Sequence, residues 1–273
     1  MVVSINTNAG SNAALQALNR TSRDLATAQL RITTGLKVNG PKDDAATFAI
    51  ATRMRGDIAA VGAVKTALAL GESTVDVAID GATAVADLLV EMKAKAVEAS
   101  QSGLDASSQA ALHEEFTALR SQISTVVGTA DFNSKNLIDS GSTDLNVLSS
   151  IDGSTIVVDA QDISTTTLSI HTAALDTASN ATTAVTLISQ AIVEVSSALT
   201  SLGTASRGLE IQQEFTTKLV DVMKESVGSL VDADLAAEAA EVEALQIKEQ
   251  LGVAGLSIAN GRPRAILGLF SRD

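Results

Sequence analysis

The 273-residue chain contains no Cys, no Trp and no Tyr, and has only two Pro, two His and five Phe. Without Cys there are no disulfides, zinc–thiolate sites or thiol nucleophiles. Cores of proteins this long ordinarily draw on aromatic side chains for buried area. At 2% aromatic residues, a bulky globule is disfavoured. Cations are also scarce: 19 Lys and Arg face 32 Asp and Glu, a net charge of -13, which argues against phosphate backbones as a partner. No uninterrupted apolar run approaches the roughly 20 residues that span a bilayer. The first residues, Met1 to Asn6, have neither the basic start nor the apolar segment of a signal peptide. These shortages predict a soluble chain with no nucleic-acid or membrane partner that, if exported, leaves without a cleaved signal peptide.

What is present is Ala, Val, Leu and Ile, which make up most of the 45% hydrophobic residues and fit long helices packed through small side chains. Val61, Val64, Leu68, Gly71, Val75, Ala78, Ala82, Val85, Leu89, Met92 and Ala96 are spaced alternately by three and four, as a coiled-coil stripe requires. A helix from Arg55 to Ser100 would be roughly 65–70 Å long, which predicts a rod. A second seam runs through Leu112, Phe116, Leu119, Ile123 and Val126. A third runs through Val185, Ile188, Ile192, Val195, Leu199, Leu202 and Leu209, slips near Gln213, and resumes through Leu219, Met223, Val227 and Leu230, as after a stutter. Between the second and third seams, Leu145, Val147 and Ile151 alternate with polar residues before Asp152-Gly153 and the β-branched run Thr155 to Val158. This predicts a hairpin. The Ser/Thr-rich stretch at Thr165 to Thr167 predicts an exposed surface loop.

The chain ends are amphipathic but imperfect. Leu15, Leu18, Leu25 and Ile32 mark the first helix, and Leu235, Val242, Leu245, Val253 and Leu256 the last, followed by Ile266, Leu267, Leu269 and Phe270. The first segment is basic (Arg20, Arg23, Arg31, Lys37) and the last acidic (Asp232, Asp234, Glu238, Glu241, Glu243, Glu249), so the termini are expected side by side. Partly exposed apolar ends suit a subunit whose ends become buried on assembly.

Candidate chemistry is sparse. Asp43 and Asp44 precede an Ala-rich run and fit helix capping better than metal binding. The segment starting at Asp131 opens like a calcium loop, but Asn136 and Ser142 stand where Gly and Glu are needed. His113 and His171 lack the spacing of a metal motif and are expected at the surface. Asn19-Arg20-Thr21 and Asn180-Ala181-Thr182 match a glycosylation sequon, a weak pattern. These residues provide no catalytic, cofactor-binding or metal site, so the chain is not expected to be an enzyme.

The two ends carry a more specific pattern. Ser4 to Asn8, Arg31 to Asn39 and Asp43 to Ala46, together with Leu230 to Leu235, Ala244 to Gln246, Gln250 to Gly252, Leu256 to Asn260 and Ile266 to Phe270, resemble the N- and C-terminal signatures of bacterial flagellin, short alphaproteobacterial forms included. One departure is Gly261-Arg262-Pro263-Arg264, which places two cations where the family usually has an uncharged run. The resemblance implies a mainly α fold: an elongated rod of long antiparallel coiled-coil helices with paired N- and C-terminal helices and a small β-hairpin insertion. It implies filament-core helices at 1–40 and 232–273, rod helices at 41–136 and 172–231, and the hairpin and loop insertion at 137–171. It further implies an extracellular filament subunit for swimming motility, whose terminal helices fold on assembly through Leu15, Leu18, Leu25, Ile32, Leu235, Val242, Leu256, Ile266, Leu267, Leu269 and Phe270. Its partners would be copies of itself, the flagellar export apparatus and chaperone, and the hook-junction and cap proteins. A hook-filament junction protein, and a cell-surface binding module on the same scaffold, are alternatives at this point.

Overall fold

The computed structural model describes residues 7–270, with side chains through 261. Among these, the helices are α1 (Ala9–Thr34), α2 (Ala45–Ala99), α3 (Ala106–Thr129), α4 (Ala178–Val231) and α5 (Leu235–Phe270). Four short strands, β1 (Asp131–Phe132), β2 (Lys135–Asn136), β3 (Leu145–Leu148) and β4 (Thr155–Val158), lie between α3 and α4. The fold is mainly α with a small antiparallel hairpin, as expected. The chain forms two compact units: residues 57–221, and residues 1–56 with 222–273.

The 57–221 unit is organised by the stripe on α2. Every position of the predicted three-four seam from Val61 to Ala96 is buried. A stripe of that length has to be covered along its whole extent, and α3 and α4 supply much of the cover. From α3, Leu112, Phe116 and Ile123 are buried as predicted, but Val127 takes the inward place expected for Val126, which is only half-buried. On α4 the buried row is Ala181, Ala184, Ile188, Ala191, Val195, Ala198, Leu202 and Leu209. The predicted Val185, Ile192 and Leu199 flank it, half-buried. The correction has a steric reason. α2 already brings Leu68, Leu89 and Met92 inward, and close packing favours small residues opposite large ones. Past the slip near Gln213 the expected seam is only partly inward: Leu219 is 37% exposed, Met223 and Leu230 are half-buried and Val227 is buried; Thr216 is buried as well, its hydroxyl donating to the Gln212 carbonyl at 2.7 Å.

By length and composition α2 and α4 could each cross a membrane, with 18-residue windows of mean hydropathy 1.3 and 1.4. The absence of a long uninterrupted apolar run in the sequence therefore did not settle that point. In this unit the apolar stripes of both helices face protein.

The segment after α3 is less superficial than the sequence implied. β1 and β2 pair antiparallel around Asn133 and Ser134, whose φ values of 51° and 61° follow the pattern of a type I′ turn. Asn136 donates to the Val127 carbonyl at 2.7 Å, serving the end of α3, and accepts from the Ile138 and Asp139 amides. β3 and β4 pair from Leu145↔Val158 to Leu148↔Thr155. Their connection runs through Ser149 to Ser154, so Ile151 lies in the turn and not on a strand, and is exposed. Gly153 adopts φ 86° there. Val147 sits on α2 at Gly71, where a Cβ would lie 2.5 Å from a Val147 methyl.

Although Thr166 and Thr167 are exposed, Ile163, Leu168, Ile170 and Leu175 around them are buried. Thr165 to Thr167 thus lie at the surface as expected, Thr165 half-buried, while the residues that flank them anchor the loop in the core. Polar side chains of α3 hold the loop: Arg120 donates to the carbonyls of His171 (2.8 Å) and Ala173 (3.0 Å), and Gln109 to that of Leu175. His113 is correspondingly not a free surface residue. It is half-buried, and its Nδ1 accepts the Leu175 amide at 3.0 Å.

Gly71→Ala should destabilise the 57–221 unit by about 1–3 kcal/mol through overpacking, whereas Gly62→Ala, with open space at its Cβ, should stabilise it by up to ~1 kcal/mol; chemical denaturation of the full chain measures both. Burial chiefly, then Asp76 and Glu210, raise the Glu72 carboxyl above its ordinary value. Its stabilising, protonated form is complete below the unfolded-state value and is lost as pH rises through the folded one. Glu72→Gln should therefore raise the melting temperature at pH 7 and give no gain near pH 4, in pH-dependent thermal melts.

Candidate assembly interface

The unit formed by residues 1–56 and 222–273 pairs the two ends of the chain. Asn8 caps α1 by accepting the Ser11 amide at 3.1 Å, and Gly35, at φ 71°, ends it in the left-handed conformation. Asp234 caps α5 by accepting from Ala236 (3.0 Å) and Ala237 (3.1 Å). Backbone bonds join the segments flanking these helices: Lys37 to the Val231 carbonyl (2.7 Å) and Ala233 to the Gly35 carbonyl (2.9 Å), around an antiparallel bridge between Leu36 and Asp232. From there α1 and α5 run antiparallel. Arg31 pairs with Glu238 at 3.0 Å, Ser22 donates to Glu249 at 2.9 Å, and Ser11 to Asn260 at 2.8 Å. The basic and acidic ends do lie side by side, although Glu241 and Glu243 are exposed.

The apolar core of the pair is small, consisting of Leu25, Ala28 and Leu245 with Val242 packed against them. Of the residues singled out in the sequence, Leu25, Val242 and Leu245 are therefore brought together. Leu18 packs at Gly252, where a Cβ would lie 3.1 Å from it, and Leu256 is half-buried on the same row. Leu15, Ile32 and Leu235 are exposed. The side chains of Ile266, Leu267, Leu269 and Phe270 lie outside the described residues. Sequence reasoning missed Ala28, and it missed a second row on α5. Ile247, Leu251 and Ile258 are 58%, 67% and 72% exposed and, with Ala254 between them, step by four, three and four. This row lies opposite the inward positions 242, 245, 249, 252 and 256, and a search for two stripes on one helix would have found it. A helix apolar on both sides is one that becomes buried all round.

The tempting carboxylates do structural work. Asp44 accepts from the amides of Ala46 and Thr47 at the start of α2, and the Thr47 hydroxyl holds its carboxyl below the ordinary range. Asp105 does the same for α3; hydrogen bonds, first from the Ser107 hydroxyl, lower its carboxyl to about 2. Asp43 accepts from the amides of Asn39 and Gly40. Among the described residues no group of three or more His, Asp or Glu side chains could hold a metal ion.

Paired terminal helices with an apolar row unmatched among the described residues of their unit, in a chain that also forms a second helical unit, suit one class: a subunit of a self-associating helical assembly. The family profile of the bacterial flagellin N-terminal helical region matches residues 5–143, and that of the C-terminal helical region residues 185–270. The chain is 43% identical to the flagellin FljK of Caulobacter vibrioides across 98% of both chains. It is 33% identical to a flagellin of Brucella melitensis across 98% of this chain and 99% of that one. A flagellar hook-associated protein of Vibrio parahaemolyticus shares the fold, with a TM-score of 0.57 at 11% identity over 70% of this chain and all of that one. The chain belongs to the bacterial flagellin family. It is a structural subunit of the extracellular flagellar filament and polymerises with copies of itself for motility.

Gly252→Val should wedge α1 from α5 and reduce seeded filament growth about tenfold or more, while leaving the unfolding of the 57–221 unit unchanged. Electron microscopy of seeded growth and thermal melts read the two effects separately.

Proposed function

We propose that polymerisation is driven by folding of the terminal helices coupled to their burial, with Leu15, Leu18, Leu25, Ile32, Leu235, Val242, Leu256, Ile266, Leu267, Leu269 and Phe270 forming the filament core. The observation that carries this reading is the two-sided apolar character of α5, whose outer row is exposed in the single chain. Burial is worth about 1.5–3 kcal/mol for each large aliphatic side chain and offsets the entropy of ordering the ends. A surface that is matched on a neighbouring copy, and not on itself, gives open helical polymers.

On this reading residues 1–40 and 232–273 are the filament-core helices, 41–136 and 172–231 the rod, and 137–171 the insertion. The role is structural and not enzymatic. Export through the flagellar apparatus with a chaperone, and contacts with hook-junction and cap proteins, accompany such a role, while nucleic acid and membrane do not. The excess of carboxylates supports the exclusion of nucleic acid, and the commitment of the α2 and α4 stripes to protein packing supports the exclusion of lipid.

A chain trimmed to residues 41–231 tests the mechanism. It should keep its helical circular dichroism and cooperative melt, and should fail to elongate filament seeds at any concentration that supports the full chain. Filaments from the trimmed chain would refute coupled folding of the ends.

A further inference from the structure

Helix α5 continues from Leu235 to Phe270 although residue 263 is proline. Proline has no backbone N–H, so the carbonyl four residues earlier, that of Ala259, has no intrahelical donor. A carbonyl deprived of its partner in a partly buried setting is destabilising unless another donor reaches it. Here one does: Nδ2 of Asn8 donates to the Ala259 carbonyl at 2.8 Å. The same side chain caps α1 through its Oδ1. One amide therefore closes the start of α1 with its oxygen and repairs the gap in α5 with its nitrogen.

We infer that Asn8 and Pro263 together form a register lock for the terminal helix pair. The inward rows of α1 and α5 repeat by heptads and include small residues, Ala28 on one and Gly252 on the other, so apolar packing alone discriminates weakly against a slip of one heptad. Single polar positions are what fix register in such seams. The neighbouring carbonyls in the body of α5 are engaged by amides four residues on, whereas the one opposite Pro263 is left free by the covalent structure of the chain. Asn8 meets that carbonyl in one alignment, the alignment that also joins Ser11 to Asn260, Ser22 to Glu249 and Arg31 to Glu238. Asn8 is thus a positioning residue for assembly and acts through the gap that the proline creates. The inference rests on the terminal pair being the polymerising element.

The test is a double-mutant cycle on the full chain, reading the critical concentration for growth from filament seeds. Asn8→Ser keeps a neutral capping oxygen for α1 but is too short to reach Ala259. In the wild-type background it should raise the critical concentration about tenfold, equivalent to ~1.4 kcal/mol. In a Pro263→Ala background residue 263 regains an amide for the Ala259 carbonyl, and Asn8→Ser should then cost less than about twofold. Equal penalties in both backgrounds would make Asn8 a cap alone and overturn the lock; so would an Asn8→Ser chain that grows like wild type. Neither result touches coupled folding, which the trimmed chain tests on its own.

Discussion

The 57–221 unit depends on one constraint, the unbroken apolar stripe of α2. A helix with a three-four seam from Val61 to Ala96 has no stable state in water with that seam uncovered. In this unit Phe116 on α3 and the alanine row on α4 meet it, and Val147 closes over Gly71. With few aromatic residues available, cover of this extent comes from many aliphatic contacts spread along the helices. Even the residues between strand β4 and helix α4 join in, through Ile163, Ile170 and Leu175.

The terminal pair obeys the same physics with fewer residues. Leu25, Ala28 and Leu245 are a small core for helices of 26 and 36 residues, and the outer row of α5 has no partner among the described residues of its own unit. If the ends are buried on assembly as proposed, stability there is drawn from neighbouring copies, and the fold of the ends and the existence of the filament are a single equilibrium.

The sequence revealed what a single apolar stripe can reveal. The α2 seam was legible in full because Val61, Val64, Leu68, Val75, Val85, Leu89 and Met92 fix its three-four spacing, and Gly71, Ala78, Ala82 and Ala96 fall in step with them. On α4 the stripe was displaced onto Ala181, Ala184, Ala191 and Ala198, which carry little weight in an apolar count and reach the core because they are small. Long-range polar bonds left no pattern to read: His113 to Leu175, Gln212 to Ser149 and Asn8 to Ala259 join residues 62, 63 and 251 positions apart. The hairpin was placed correctly, but its turn was read as too tight, since Asp152-Gly153 forms only part of the connection from Ser149 to Ser154. At the candidate interface Leu25, Val242 and Leu245 were legible by their three-four and heptad spacing. The outer row of α5 was not, because one stripe was sought on a helix that carries two.

The backbone bridge between Leu36 and Asp232 bears on how the ends find each other. The last residue of α1 and the first of α5 are 201 positions apart in the chain, yet main-chain bonds that require no particular side chain hold their flanking segments together. Once that bridge exists, each further turn of pairing closes only a short loop, so its entropic cost is local and small. Among the described side chains the contact of Asn8 with Ala259 lies farthest from that bridge, so its alignment rests on every turn of pairing between them.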